Sequence, residues 1–358
     1  MTLQTPDAAS PQDGMLEDLP EGIAQTMRER AEWLKTLPRR STGEEFLVAD
    51  LQRWTPGQAV RVAFLGGTSA LHKEIVDAVT QITQACNLTF DFGLDQATGR
   101  YRSWSAEDTE YAAEIRLSFD FPGYWSLVGT DSIDAAVGKP DEGAGGRPNQ
   151  RSLNLGGYHV RKPTDWQGTT RHEFMHAIAF HHEHQNFRGP CAGEFRWDDD
   201  AGYVRTTDAR GTFVTDSEGR RPGIYTYLSG PPNNWSKAKV DHNLRQHDNP
   251  EETAGEFDPA SVMLYRFPAL FYRTADSPCA PTTDGQNLSE GDKAGLTLLY
   301  PASPHAAALE VERRVEFLNA IESQPQVLEN IGLESTQPPP SVLFRSAAAA
   351  ALRATLPR

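Results

Sequence analysis

The chain opens its regular part with an alternation of apolar and polar positions that predicts a β-α unit. Val60, Val62 and Phe64 alternate with polar or small residues, which is the period-two pattern of a half-buried strand. The pair Gly66-Gly67 follows, and an apolar stripe of helical period then predicts a helix from about 70 to 86. Shorter patterns predict strands at 88–92, 115–119 and 152–157 and helices at 22–37, 237–246, 289–299 and 306–321. The pattern as a whole therefore predicts a mixed α and β fold.

Composition and charge then exclude several classes of function. The 358 residues carry a formal net charge of −15, whereas nucleic acids and anionic membranes attract basic surfaces. We therefore expect no nucleic-acid partner and no membrane partner. The mean hydropathy of −0.55 agrees with the absence of any apolar run long enough to span a bilayer.

One segment, residues 172–185, carries more candidate chemistry than any other. His172 and His176 stand four residues apart, so on a helix both lie on one face and can direct imidazole nitrogens at one metal ion. Glu173 follows the first histidine, where a carboxylate can take the proton from a metal-bound water. The same five-residue pattern also occurs by chance on ordinary solvated helices, so further residues decide its interpretation.

A third metal ligand has to come from beyond this helical turn. His182 stands ten residues after His172 and can reach the metal if the chain turns sharply after the helix. His181 and His184 lie close by and are the alternatives. We expect those two side chains to be solvated or to support the ligands from outside.

These residues together resemble the signature of the metzincin metalloproteases, HExxHxxGxxH followed by a methionine-containing turn. The downstream segment Ser261-Val262-Met263-Leu264-Tyr265 supplies such a turn. Within the metzincins the chain is most similar to the astacin-like zinc metallopeptidases of bacterial type, which carry HExxHxxGFxHE and a Met-turn with tyrosine two residues after the methionine. The resemblance extends from about Trp54 to about Pro301.

One position departs from the family pattern. Ala179 stands where the family has glycine, and glycine suits a residue of positive φ that ends a helix. An alanine in that conformation is strained by about 1–2 kcal/mol. This leaves open that the turn between the helix and His182 is built differently.

The resemblance implies an α+β fold with a two-lobed catalytic domain. It places a twisted mixed sheet and helices in the N-terminal lobe, the zinc helix at the cleft floor, and a closing helix after an irregular C-terminal lobe. We expect this domain at 46–302, after an N-terminal extension at 1–45 that is partly disordered and helical at 22–37. Residues 303–358 are expected to contribute a helix, a Pro-rich linker and a tail.

The short strand before the zinc helix is a candidate for substrate binding. Leu153, Asn154, Leu155 and Gly156 lie where metzincin-like folds place the edge strand that hydrogen-bonds an extended substrate. The alternative is an ordinary interior strand of the sheet.

The function implied by the resemblance is that of a zinc-dependent endopeptidase that hydrolyses extended proteins or peptides with one zinc ion per chain. Three neutral imidazoles leave one zinc position open for a water, which Glu173 activates. Tyr265 occupies the place where astacin-like enzymes carry a phenol that reaches the metal or the developing oxyanion, and Met263 is expected to pack beneath the ligands. The alternative class is a catalytically idle metzincin-fold module that binds zinc or a partner protein.

The cysteines and the N-terminal residues bear on the compartment and on latency. Cys191 and Cys279 could pair, whereas Cys86 continues a helical apolar stripe. The first residues lack the basic start and apolar stretch of a secretory signal, so a cytoplasmic location or export by a leaderless route both stay open. The extension could act as an inhibitory prosegment, but we favour a solvated tail followed by a strand at 44–51, and hence activity without processing.

Overall fold

The computed structural model describes residues 19–35, 52–246, 255–323 and 340–356, and these form an α+β fold as the sequence predicts. The described residues divide into two compact units. The sheet unit comprises the described residues within 19–162, 166–181 and 286–356. The disulfide unit comprises 163–165 and the described residues within 182–285. Three predicted segments lie wholly or largely outside the described residues: the tail at 1–20, of which only 19 and 20 are described, the strand at 44–51, and the linker at 337–340, of which only 340 is described.

The regular elements follow the predicted ones closely. The strands are β1 (Ala59–Leu65), β2 (Thr89–Asp91), β3 (Ile115–Ser118), β4 (Tyr124–Ser126), β5 (Leu153–Leu155), β6 (Thr206–Thr207) and β7 (Phe213–Val214). The helices are α1 (Glu21–Lys35), α2 (Ser69–Gln84), α3 (Trp166–His176), α4 (Cys191–Glu194), α5 (Ile224–Ser229), α6 (Lys237–Leu244), α7 (Glu290–Leu299), α8 (Pro304–Ser323) and α9 (Pro340–Thr355). Helix α7 begins with a capping box, in which the Ser289 and Asp292 side chains each accept from the backbone N–H of the other residue.

The sheet unit is built on a five-stranded sheet of order β2-β1-β3-β5-β4. The first four strands in that order are parallel to their neighbours, and β4 runs antiparallel to β5. Helix α3 packs against α2 and against β4, and its buried Phe174 ring reaches Phe90 of β2 edge-on at a centroid distance of 5.1 Å. This packing fixes the helix that carries the candidate chemistry on the sheet.

The expected edge position of the strand at 153–156 is wrong, because β5 is an interior strand. Leu153 pairs with Leu117 on one side and with Ser126 on the other. The side chain of Asn154 is fully used within the sheet: its Oδ1 accepts from the Ser118 hydroxyl at 2.9 Å, and its Nδ2 donates to the carbonyls of Phe121 and Gly123.

Gly156 is also committed to the fold. Its N–H donates to the Gly123 carbonyl at 3.0 Å, and a Cβ at this position would lie 2.4 Å from the Phe121 carbonyl oxygen. The backbone and side-chain groups at 153–156 are therefore structural, and β4 is the outermost strand of the sheet on this side.

The helices of both predicted extensions belong to the sheet unit. Helix α1 packs through Trp33 against α8 and α9 in an apolar cluster. Its Arg30 is buried and donates to Asp131 and Asp134 at 2.5 and 2.7 Å. The alanine-rich stretch expected in a tail lies within α9, where Ala348 and Ala349 are buried. The division into an extension at 1–45, a catalytic domain at 46–302 and a C-terminal segment at 303–358 stays a prediction.

The disulfide unit has few regular elements and an apolar core of its own. Cys191 and Cys279, which the sequence left open as a pair, form a disulfide with a Cα–Cα distance of 5.0 Å, and both are fully buried. Asp199 and Asp200 accept hydrogen bonds from the backbone N–H groups of Gly223 and Arg221, at 2.7 and 2.8 Å. Within the described residues, no helix combines the length and the apolar character needed to cross a membrane.

Candidate metal centre and active site

Helix α3 presents two of the predicted ligands on one face. The Nε2 atoms of His172 and His176 lie 3.1 Å apart, as expected for histidines one helical turn from each other. Both side chains are buried, and so is that of Glu173. The helix thus carries two imidazoles and a carboxylate together in a region shielded from water.

The imidazole of His176 is oriented by the turn that follows the helix. Its Nδ1 lies 2.7 Å from the Phe180 carbonyl oxygen. A carbonyl can only accept, so this contact places the proton on Nδ1 and leaves the lone pair on Nε2. This is the tautomer in which Nε2 can bind a metal ion.

The helix ends in a left-handed turn of the kind that the family glycine would form. The N–H of Phe180 donates to the Met175 carbonyl and that of Ala179 to the His176 carbonyl, which is the Schellman arrangement. Ala179 has a φ of +74°. The turn is therefore built in the usual way despite the alanine, and the strain expected from the sequence is present in the folded chain.

Two further side chains complete the hydrogen bonding of this helix end. The last four carbonyls of a helix lack intrahelical donors, and the Schellman turn here serves those of Met175 and His176. The Ala177 carbonyl accepts from the Trp54 indole N–H at 2.8 Å, and the Ile178 carbonyl accepts from the Tyr300 hydroxyl at 2.7 Å. Burial raises the pKa of Tyr300, so its phenol stays protonated and remains a donor.

Trp54 and Tyr300 support the site, although no motif in the sequence indicated it. They lie 123 and 122 residues from the carbonyls that they serve. Both are large aromatic residues with a polar tip, and such residues usually find a hydrogen-bond partner when buried. That general tendency was the only signal in the sequence, and it does not identify the partner.

The structure brings His182 together with the two helix histidines. One ligand nitrogen from each of His172, His176 and His182 lies within 4.8 Å of the others, and no other such group of potential ligands occurs among the described residues. His184, one of the two alternatives, is instead buried in the disulfide unit, where its Nε2 lies 2.9 Å from the Asn243 carbonyl oxygen.

Tyr265 lies beside His182. Its ring centroid is 4.4 Å from that of His182 and 5.1 Å from that of His184. Met263 is buried in a turn in which the N–H of Leu264 donates to the Ser261 carbonyl. The predicted roles of Tyr265 in catalysis and of Met263 beneath the ligands stay predictions.

Glu183, the residue after His182, links this part of the chain to the turn that contains Met263. The N–H of Glu183 donates to the Met263 carbonyl at 3.0 Å, and its Oε1 accepts from the backbone N–H of Asp258 at 2.9 Å. The segment that contains Glu183 is thereby held against the segment that contains Asp258 and Met263, although Glu183 and Asp258 are 75 residues apart in sequence.

The donor set fits a zinc ion. Three imidazole nitrogens are a ligand combination that zinc prefers, and three protein ligands leave a coordination position open, as in catalytic zinc sites. The ring orientation given to His176 by the Phe180 carbonyl is the outer support that such ligands usually have. The buried carboxylate of Glu173, next to His172, is a group that can accept and donate a proton.

Comparison with known proteins gives no match to a protein-family model and none to a curated protein. Among solved structures, one of myroilysin is 22% identical with a TM-score of 0.47, covering 70% of this chain and 97% of that one. A hatching enzyme zinc-protease of the medaka fish Oryzias latipes is 15% identical with a TM-score of 0.40, covering 73% and 99%. On the residues of its site, the chain resembles the astacin-like zinc metallopeptidases.

Proposed function

We propose that this protein is a zinc-dependent endopeptidase. The single observation that carries the proposal is the convergence of His172, His176 and His182 within 4.8 Å, with the buried carboxylate of Glu173 on the same helical turn. A metal-binding module without catalysis has no need of a carboxylate at that place, whereas hydrolysis of a peptide bond requires a group that moves protons.

The three histidines would hold the ion through neutral imidazoles, and Glu173 would carry the proton. Bound zinc supplies Lewis acidity, which polarises the peptide carbonyl and lowers the pKa of water. Glu173 accepts a proton from the attacking water and delivers it to the departing amine, so the carboxylate is regenerated after each turnover. The phenol of Tyr265, which lies beside His182, donates a hydrogen bond to the oxygen on which negative charge develops.

The substrate is proposed to be an extended peptide that pairs with the outermost strand. In the sheet order β2-β1-β3-β5-β4, the strand β4 (Tyr124–Ser126) has a described partner only on its β5 side. An extended peptide can add to such an edge through main-chain hydrogen bonds. This strand replaces residues 153–156 as the proposed substrate-binding element.

The disulfide bears on where the protein works. Disulfides persist in oxidising compartments and are rare in the cytoplasm. The buried Cys191–Cys279 bond therefore favours an oxidising compartment over a cytoplasmic location.

Proteome-derived peptides provide the test. The protein loaded with zinc and the variant Glu173→Ala are each incubated with the peptides, and new termini are identified by mass spectrometry. We expect cleavage by the wild type alone, with about one zinc ion per chain in both proteins. Equal zinc contents without cleavage by the wild type would support the alternative, an idle zinc-binding module.

A further inference from the structure

A four-residue segment at 52–55 is linked to all three helices of the terminal extensions, directly to α8 and α9 and through the Asp131 carboxylate to α1. The segment lies just before β1, and its Trp54 donates the hydrogen bond to the Ala177 carbonyl at the end of the metal-binding helix. None of the residues concerned belongs to a metal-ligand or catalytic motif. The observation therefore concerns how the site is held in place.

Helix α8 contacts the segment through a buried arginine. Arg314 is 0% exposed, and its guanidinium donates to the carbonyls of Arg53 and Trp54 and, at 3.0 Å, to the Thr355 hydroxyl. Burial lowers the pKa of Arg314 to about 10, and the charge of Glu310 acts in the opposite direction. A buried cation of this kind is destabilising unless its N–H donors are satisfied. Here two hydrogen bonds go to the carbonyls of Arg53 and Trp54 and a third goes to the Thr355 hydroxyl.

Helix α9 contacts Thr55 directly, and α1 is linked to Gln52 through the Asp131 carboxylate. The Thr55 hydroxyl donates to the carbonyl of Thr355, the last residue of α9, at 2.5 Å. Gln52 donates to Asp131 at 2.7 Å, and Asp131 also accepts from Arg30 of α1. Each residue from 52 to 55 is thus tied, directly or through one carboxylate, to a terminal helix.

The same segment lies against the strained turn. A Cβ added to Gly129 would lie 1.7 Å from the Gln52 carbonyl oxygen and 3.1 Å from the Cβ of Ala179. Only glycine at 129 permits the segment and the turn to approach so closely. The turn at Ala179 therefore has the 52–55 segment packed nearby as well as bonded to it through Trp54.

We propose that the terminal helices α1, α8 and α9 are a brace for the metal centre, with Trp54 and Arg314 as positioning residues. The brace holds the Ala177 carbonyl through Trp54 and thereby keeps the left-handed turn closed against the strain at Ala179. The closed turn keeps the Phe180 carbonyl on His176 and brings the chain to His182. The inference rests on the proposed function only in taking these histidines as zinc ligands.

The test of Trp54 uses a matched pair of substitutions in the full-length protein. Trp54→Phe keeps an aromatic ring and removes only the indole donor. Trp104→Phe is the control, because the Trp104 indole also is buried and donates to a backbone carbonyl, that of Leu117, at 2.9 Å. Two quantities are measured: hydrogen exchange of the Ala179 and Phe180 amides relative to the β1 amides in metal-free protein, and the Kd for Zn²⁺ by competition with a chromogenic chelator.

A buried carbonyl left without its donor changes a local equilibrium by roughly tenfold. We expect Trp54→Phe to speed exchange of the two turn amides and to weaken Zn²⁺ binding by about that factor. Trp104→Phe should leave the relative exchange and the Zn²⁺ affinity within twofold of the wild type. Equal effects of the two substitutions on both quantities would overturn the role of Trp54.

The role of the terminal helices is tested by Arg314→Met, with Arg313→Met as the control on an exposed position of the same helix. Arg314→Met should raise relative exchange at Ala179 and Phe180 and weaken Zn²⁺ binding severalfold, whereas Arg313→Met should change neither. Thr55→Val, which removes one hydroxyl at constant shape, should act in the same direction by about threefold and covers the case in which Arg314→Met fails to fold. If Thr55→Val and Arg314→Met both keep the wild-type exchange rates of the Ala179 and Phe180 amides and the wild-type affinity for Zn²⁺, the proposed brace is wrong.

These outcomes are independent of peptide hydrolysis. A wild type that binds Zn²⁺ but cleaves no peptide would contradict the proposed function. The comparisons of Trp54→Phe with Trp104→Phe and of Arg314→Met with Arg313→Met would still test the brace. A wild type that cleaves peptides, with turn exchange insensitive to Trp54→Phe, would contradict the brace alone.

Discussion

The histidines of the candidate metal centre are held by two different kinds of structure. His172 and His176 stand on a regular helix of the sheet unit, whose end is completed by backbone and aromatic donors. His182 stands on an irregular segment, held by the bond from the Glu183 N–H to the Met263 carbonyl and by a tilted ring contact with Tyr265. The first arrangement follows from helical spacing, and the second depends on long-range contacts.

The two regions should respond differently to substitution. The two histidines stay on one face as long as α3 is helical, because helical spacing places them one turn apart, and the Phe180 carbonyl orients the ring of His176. The third ligand depends on a strained turn and on a unit of short elements closed by a disulfide. Substitutions at the base, at each ligand and at the supports of the irregular segment should therefore act in distinguishable ways.

The largest effect is expected at Glu173. Glu173→Ala should lower kcat at least 10²–10⁴-fold, the usual contribution of a general base, while zinc content and thermal unfolding stay near those of the wild type. Metal analysis and kinetics on one preparation check this. A loss of zinc in this variant would show that the carboxylate also supports the ligands.

The third ligand distinguishes the two regions directly. His182→Ala should weaken zinc binding by more than about a hundredfold, because a three-nitrogen site loses one ligand. His181→Ala should keep the metal. His184→Ala should also keep it but destabilise the disulfide unit by about 2–4 kcal/mol, because His184 is fully buried. Zinc affinity is measured by chelator competition and stability by denaturant unfolding. Loss of zinc from His184→Ala with the stability of the wild type would contradict the assignment of His182 as the third ligand.

Removal of the disulfide should affect one region and spare the other. The bond closes a loop of 88 residues, so the double substitution Cys191→Ala with Cys279→Ala should destabilise the disulfide unit by about 2–5 kcal/mol. Amide exchange should rise within 182–285 and stay unchanged in the first turns of α3. Uniform acceleration in both units would mean that they unfold as one body.

Tyr265→Phe tests whether the ring beside His182 takes part in the reaction. A phenol that meets the developing oxyanion acts mainly in the transition state, so kcat should fall roughly 10- to 100-fold with little change in KM. Steady-state kinetics on a short peptide provide the measurement. Wild-type kinetics would make Tyr265 a packing residue of the disulfide unit.

The smallest effect is expected at the strained turn. Ala179→Gly relieves about 1–2 kcal/mol of strain but loses a buried methyl worth about 0.8 kcal/mol and gains chain entropy in the unfolded state worth about 0.4–1 kcal/mol. These terms nearly cancel, so the free energy of unfolding should change by less than about 1 kcal/mol. Asn234→Gly is the control, since Asn234 also has a positive φ, 53°, but no buried methyl. A stabilisation well above 1 kcal/mol at Ala179 would show greater strain than the dihedral implies.

Much of the sheet unit could be predicted because its signals are local. Alternation marked β1, a helical stripe marked α2, and the spacing of His172 and His176 placed them on one helical face. Each of these depends only on residues a few positions apart. The misplacement of β5 arose because strand order is a tertiary property, and a buried strand has the same pattern in the middle of a sheet as at its edge.

The sequence by itself determined the chemistry of the site: two histidines and a carboxylate on a helix, a third histidine within reach, and a tyrosine-bearing turn downstream. Only the tertiary structure decided which of three neighbouring histidines joins the helix pair, that Ala179 accepts a left-handed turn, and that Trp54 and Tyr300 complete the helix end. The physical reason is the range of the interactions. Helical spacing is fixed by the backbone, whereas the partner of a buried carbonyl more than 120 residues away is set by how the whole chain packs.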